Sequence, residues 1–528
     1  MTEPEQDMFK TMLKNMEKMQ KHIEQVEDEN RYLKEQLAAM RKQLYGRRSE
    51  KTSVIFDAEN EQLSLFNEVE TDSKPSTPEP EVEPATEVKA HRRRKSKGHQ
   101  EELLKILEHE KIVCDIPDDE QNCDRCHGKL TVLGEEKLIR SEIKKIPARL
   151  VVVDYYQKTY QCEACRKDEH FSVKKGTVPK AVLPHSIASP SAIASVIHQK
   201  YALGVPLYRQ EQEWRELGLG LSRATMANWL IGVHKYYLAF LVGRLRELLL
   251  QEEVLHADET VLQVLNEKNR KNTTKSYLWL YCSSVFEPKH KIRFFDYQPG
   301  RSGSFAKEFL KGFSGYLVHD QYAGYNKVEN VTDGFCWAHL RRYFTESLPE
   351  GTKDKESSLA GQAIRRINEL FALEAEFKDL TAQERYARRL ERERPLAEAF
   401  FEWVEKTYPV VPARSKLGRA LSYALNGRKG YMTYLNDGRI NFTNSTAENA
   451  IRPAVIGRKN YLFCASPKGA DATAAIYTLV ETCKANDILP DKYFEYILSR
   501  MPNEPLQNKP ELIDKYLPWS EMVQKNCR

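Results

Sequence analysis

No apolar run in this 528-residue sequence approaches the ~18–20 residues that cross a bilayer, so no membrane-spanning helix is expected. The start, MTEPEQDMFK, lacks a signal-peptide pattern, which predicts a cytoplasmic protein without a membrane partner. The 10 cysteines would stay reduced there, which argues against disulfide staples. Apolar residues are somewhat scarce at 41% and charged ones plentiful at 30%, the balance of globular domains joined by polar segments. A net charge of +5 is too small to name a partner, but acidic and basic stretches are segregated. The length predicts three or four modules.

The first module, 1–50, carries a heptad seam. Phe9, Met16, Ile23, Asn30, Leu37 and Leu44 fall at one seven-residue spacing; Met12, Met19, Val26, Leu33 and Met40 fall at the complementary one. That pattern predicts a coiled coil, and a lone Asn at an a position favours a two-stranded, in-register pair, hence a homodimer. An amphipathic helix packed on its own protein is the alternative. Residues 51–100 read as a linker: 67–90 is rich in Glu, Pro, Ser and Thr without an aromatic residue, and the segment ends in HRRRKSKGHQ. That basic block could track phosphates or simply be solvated.

In 101–185, Cys123 and Cys126 form one Cys-x-x-Cys pair, and Cys162 and Cys165 another, around period-two runs such as RLVVVDYYQKTYQC. Two such knuckles on a β-rich frame suit a closed tetrahedral zinc site, which folds a module and leaves no open position for catalysis. Four unrelated buried thiols are the alternative. Residues 186–250 read as helix, Gly-containing turn (LGLGLS) and a helix capped at Ser222, the grammar of a helix-turn-helix. Arg223, Thr225 and Asn228 would then face base edges.

From about 252 the pattern turns to strands. VLHADETVLQVL, SYLWLYCSSVF and KIRFFDYQPG predict three strands, GSFAKEFLKGF a helix, and GYLVHDQYAGY a strand ending in Asp320. With DGFCWAHLRRYF following, the layout is that of an RNase H-like mixed sheet over 251–480, with a charged helical insertion at about 345–440 and a helical extension over 481–528. In HADET the carboxylates Asp258 and Glu259 are adjacent, and alternation sends them to opposite faces, so only one can enter a shared site. A later helix carries Glu448. Asp258, Asp320 and Glu448 could hold two divalent metals for phosphoryl transfer, since hard cations need oxygen ligands. Two bland readings compete: Ser445-x-x-Glu448 is a capping-box pattern, and Asp320 opens a turn-like DQYAGY. Cys336-Trp-Ala-His339 has no second Cys/His pair nearby, which favours a structural role over a second zinc site.

HADET, VHDQYAGY, CWAHLRRYF and STAENAIRPAVIGRKNYLFCASPKGADATAAIYTLVETCKAND together resemble the DDE transposases of the insertion sequence 66 family. YGRRSEK, the cysteine pairs, the helix-turn-helix and a late LPW extend the resemblance over nearly the whole chain except the linker. The resemblance implies an RNase H-like fold and a bacterial, nucleoid-associated enzyme that binds terminal inverted repeats, cleaves DNA and transfers the strand to a target. It implies Asp258, Asp320 and Glu448 as the triad, magnesium or manganese as its cofactor, a synaptic oligomer, and accessory proteins of the same element. Glu259 then lies on the far face as a structural or solvent-facing neighbour. Where many members have Arg after the triad Glu, this chain has Asn449; Arg452 follows one turn on. Arg452, Arg458 and Lys459 are expected to contact DNA, the last two gripping phosphate. Two other classes remain: a tyrosine recombinase, for which His339 and Arg342 give a His-x-x-Arg pair, and a non-catalytic DNA-binding regulator.

Overall fold

The computed structural model describes Met19, Val26 and residues 149–161, 173–175, 177–348 and 357–528. The rest of the heptad segment, the linker with its basic block, and Cys123, Cys126, Cys162 and Cys165 lie outside the described residues. Met19 and Val26 are helical and exposed.

Between residue 177 and the sheet, the described residues form α1 (Pro190–Ile197), α2 (Leu207–Glu216), α3 (Arg223–Val233) and α4 (Ala239–Leu249). Ser222 caps α3 by accepting from the Thr225 N–H at 3.2 Å, and Gly218 takes the left-handed φ of +93° that the turn after α2 requires. A π-helical stretch, His234–Leu238, joins α3 to α4.

The sheet contains β1 (Val254–Gln263), β2 (Lys275–Ser283), β3 (Arg293–Gln298), β4 (Gly315–His319) and β5 (Val331–Phe335), in spatial order β3-β2-β1-β4-β5. The β1–β2 and β2–β3 pairs are antiparallel; β1–β4 and β4–β5 are parallel. Helix α5 (Gly303–Phe309) makes the crossover to β4, and α6 (Trp337–Glu346) follows β5. A Cβ on Gly303 would meet the Gly324 carbonyl oxygen at 2.0 Å, so only glycine lets α5 approach the turn that follows β4 this closely. β4 ends at His319, leaving Asp320 as the first residue beyond it.

The insertion follows as α7 (Leu359–Glu376), α8 (Ala382–Arg388), α9 (Arg394–Thr407) and α10 (Lys416–Met432). A second hydrophobic cluster, around Trp337, Phe400, Phe401, Tyr431 and Phe442, joins it to α6 and to Val254 and Val318 of the sheet. Two of the insertion's arginines are buried. Arg385 is buried and donates to the carbonyls of Phe377, Lys378, Leu380 and Gly438. Arg389 is buried too, paired with Glu374 at 2.6 and 2.9 Å and bonded to the carbonyls of Tyr434, Asp437 and Ile440. Their five-donor forks gather chain ends that no helix satisfies.

The chain closes with α11 (Ser445–Tyr461), α12 (Pro467–Ala485), α13 (Pro490–Arg500) and α14 (Glu521–Cys527). α12 shields the sheet edge: Thr478 and Thr482 hydroxyls accept from the Phe295 and Arg293 N–H groups of β3 at 2.9 and 3.1 Å. It runs through the boundary expected at 480. One hydrophobic cluster joins α1–α4, the sheet and α11–α14, so residues 186–250 and 481–528 have no separate core. Among the described residues no helix is long and apolar enough to cross a membrane.

Candidate active site

The site begins with register. His256 of β1 lies opposite Val318 of β4, the last pair of the parallel ladder; Asp258 follows His256 by two places in β1, and Asp320 follows Val318 by two, just past the end of β4. His319 likewise pairs with Phe335, and the Cys336 N–H donates to the His319 carbonyl at 3.1 Å, which brings the start of α6 to the same sheet end. His256, Asp258 and Thr260 share one face by alternation.

α11 packs on β1 along that face and delivers Glu448. Its N-cap is Asn444, whose side chain makes no capping bond to the helix. Asn444 instead sets Oδ1 2.9 Å from His256 Nδ1 and donates Nδ2 to the Ala257 carbonyl at 3.0 Å. Its backbone N–H donates to Cys336 Sγ at 3.1 Å. Asn441, one loop earlier, stands 2.9 Å from His256 Nε2. The burial of His256 pushes its pKa down to about 4, so the ring is neutral and serves as a peg. At the far end of the contact Arg458 donates to Thr260 Oγ1 at 3.0 Å and to the Val261 carbonyl.

The capping-box alternative for Glu448 therefore fails here. Asn444, not Ser445, is the cap, so Glu448 lies a residue too late to reach back. The turn reading of Asp320 does hold locally: Oδ1 accepts from the Tyr322 N–H at 3.1 Å, which fixes the carboxylate's orientation. The insertion grips the same loop, with Tyr423 donating to the Asp320 carbonyl at 2.6 Å and Tyr431 to Gln321 Oε1 at 3.1 Å.

Asp258, Asp320 and Glu448 are each half-buried. Burial, then the charges of Glu259, Asp320 and Glu448, hold the Asp258 carboxyl well above the usual range, against one backbone bond from the Glu259 N–H. Negative charge thus converges on Asp258 from both elements, the expected condition of a cation site. Glu448 Oε1 is buried and accepts no hydrogen bond; its near neighbour is His339 Nδ1 at 3.5 Å. An all-oxygen donor set with an unsatisfied carboxylate oxygen fits a hard divalent cation. The three carboxylates are not drawn within 4.8 Å of one another, whereas Cys336, His339 and Glu448 are.

Glu259 is buried on the opposite face, where Oε1 accepts from Arg301 Nε at 2.7 Å and Oε2 from the Tyr325 hydroxyl at 2.8 Å. It is structural and not solvent-facing. Arg458 is buried against β1, whereas Lys459 is exposed and Arg452 half-buried. Asn449, the departure from the family pattern, is exposed. On α3, Arg223 and Asn228 are exposed and Thr225 is half-buried.

Sequence reasoning missed His256, Asn441, Asn444 and Tyr423, and it treated His339 as half of a structural pair. Two Asn three places apart ahead of the Glu448 helix was the available signal. His339 lies against Cys336 and Glu448; burial opposes its charge, but Cys336, Glu448 and Asp320 outweigh it and hold the imidazole well above its usual value. Arg342 also feels Glu448's charge. The His-x-x-Arg pair is thus directed at a carboxylate.

Four sequence families match the chain in succession. The one described as Transposase IS66 family covers residues 185–472. Transposase C of IS166 homeodomain covers 32–112, the zinc-finger binding domain of transposase IS66 covers 120–166, and the IS66 C-terminal element covers 478–519. All four module cysteines fall inside 120–166. Two uncharacterized proteins of Sinorhizobium fredii are similar over most of their lengths. y4qI is 31% identical over 92% of this chain and 88% of its own; y4hP is 27% identical over 91% and 87%.

Proposed function

The chain belongs to the IS66 family of transposases, and from that premise we propose that it cleaves and joins DNA with a triad of Asp258, Asp320 and Glu448. One observation supports the reading: Asp258 and Asp320 each stand two places beyond the last pair of the parallel β1–β4 ladder, while Asn444 pins the Glu448 helix to β1. The strand order β3-β2-β1-β4-β5, with its first three strands antiparallel and the last two parallel, supports an RNase H-like domain.

The triad would hold magnesium, with manganese as a substitute, because its donors are all oxygens. Such a pair of ions supplies activation of the attacking oxygen and stabilisation of the leaving one. The residues' own work is positioning. Asp320 is oriented by its Asx turn and by Tyr423, Asp258 by the Glu259 N–H, and Glu448 by the Asn444 clamp. In the reaction, water cleaves a phosphodiester at the end of the element, leaving a 5′-phosphate and a free 3′-hydroxyl; that hydroxyl then attacks a target phosphorus and displaces the target strand's 3′-oxygen.

The α2–turn–α3 unit would read the inverted repeats through Arg223, Thr225 and Asn228, with Lys459 and Arg452 nearer the cleavage point. The zinc-finger domain would be folded by Cys123, Cys126, Cys162 and Cys165. Exposed helical Met19 and Val26 support pairing of the heptad segment in a homodimer or larger synaptic complex, with accessory proteins of the element as further partners. The deciding test is cleavage of matched DNA ends in magnesium against EDTA. Wild type should cut only with magnesium, and Asp258→Asn should bind ends without cutting them. Strand transfer retained by Asp258→Asn overturns the assignment.

A further inference from the structure

Carboxylate chemistry leaves Cys336 and His339 without a part. Cys336 is the N-cap of α6 and His339 its third residue, so one helical turn brings both to the same place. Glu448 arrives from α11, about 110 residues downstream. One sulfur, one ring nitrogen and one carboxylate oxygen then lie within 4.8 Å of one another. The backbone N–H of Asn444 donates to Cys336 Sγ at 3.1 Å, the kind of outer bond that orients a metal thiolate. Glu448 Oε1 is buried without a hydrogen bond to answer it.

This donor set is wrong for magnesium. Thiolate and imidazole select zinc-class ions. In a tetrahedral zinc site with bonds of about 2.0–2.3 Å, donors stand about 3.3–3.7 Å apart, so a contraction of about 1 Å completes the arrangement. We propose that Cys336, His339 and Glu448 bind one zinc-class ion, separate from the four-cysteine module, with its fourth position open. Binding displaces two protons to solvent, the Cys336 thiol proton as the metal–sulfur bond forms and the extra proton of the His339 imidazolium as the metal–nitrogen bond forms. The ion enters past Glu448, whose side chain is 25% exposed while Cys336 is sealed in. A further consequence rests on the proposed function: an ion here takes Glu448 from Asp258 and Asp320, so zinc opposes magnesium-dependent cleavage.

Cobalt(II), a spectroscopic substitute for zinc, tests the site in metal-stripped full-length protein. Bound cobalt and thiolate-to-cobalt absorption are followed together. Wild type should take up one equivalent more than either Cys336→Ser or His339→Gln, and both variants should keep the absorption of the four-cysteine module. Circular dichroism checks that they fold. Equal uptake by wild type and both folded variants overturns the proposal. So does a wild-type titration that ends at a single equivalent, which needs no variant at all. In the cleavage assay, zinc should slow wild type at least about tenfold more than Cys336→Ser. Cobalt uptake without any DNA cleavage would leave this site standing and sink the transposase triad; cleavage without the extra equivalent would do the reverse.

Discussion

Asn444 caps the helix that carries Glu448, yet it turns its side chain away from that helix to His256, 2.9 Å from Nδ1. One residue thus ties β1, α11 and, through its N–H, the start of α6. Asn444→Ala should cost about 2–3 kcal/mol of stability, since it leaves the buried His256 Nδ1 and the Ala257 carbonyl without their partner. Cleavage should fall on the order of a hundredfold as Glu448 drifts. A double-mutant cycle separates the two effects: combined with Glu448→Gln, the substitution should lower stability again but not activity. Additive losses of activity would show that Asn444 acts elsewhere.

His256 gives the same joint a pH dependence. Its folded pKa is about 4, below the ~6.5 of an unfolded histidine. Between those values the unfolded chain takes up a proton that the folded ring refuses, so this contribution to stability is complete above about pH 6.5 and is lost as pH falls toward 4. Denaturant midpoints measured across that window should decline more steeply for wild type than for His256→Gln.

Asp258→Asn and Glu259→Gln should part company although the residues are adjacent. The first should remove at least about a thousandfold of the magnesium-dependent rate, about 4 kcal/mol of barrier. It should also erase any rise in Tm caused by magnesium, because it removes the charge that the ion neutralises. Glu259→Gln leaves Arg301 short of its carboxylate, which should cost about 1–3 kcal/mol of stability while keeping the rate per folded molecule within about tenfold. Thermal melts beside single-turnover cleavage check both.

Arg458 and Lys459 make a similar pair. Lys459→Ala should weaken DNA binding evenly across sequences and lower the salt slope by about one. Arg458→Ala should leave the salt slope alone and lower Tm, because it unpins α11 from Thr260 and Val261. Binding isotherms at several salt concentrations decide it.

Glu393 is wholly buried in the insertion, and burial with the charge of Glu374 pushes its pKa up to about 9. An unfolded Glu ionises near 4.5, so from there to about 9 the folded state alone keeps the proton, and this residue's contribution to stability falls as pH rises. Glu393→Gln should therefore gain on wild type with rising pH, by a few degrees in Tm for each ~1 kcal/mol. A constant difference from pH 5 to 9 would count against a buried neutral acid there.

Local chemistry made the elements legible. Alternating apolar residues mark β1 over Val254–Gln263, and Ser222 marks the start of α3. Alternation alone separated Asp258 from Glu259, because a strand sends neighbours to opposite faces. Which of the two entered the site depended on what packs against each face: α11 on one, Arg301 and Tyr325 on the other. Ser445-x-x-Glu448 read as a cap only because a sequence cannot say that Asn444 holds the N-cap position and sends its side chain to a strand nearly 190 residues earlier. Arg458 and Lys459 are alike as charges in the sequence, and a helix rotation of about 100° per residue buries one and exposes the other. The sequence by itself determined the strands, the helices and the stock of carboxylates. Tertiary packing decided which of them meet, because charge convergence and burial are properties of elements brought together across long separations.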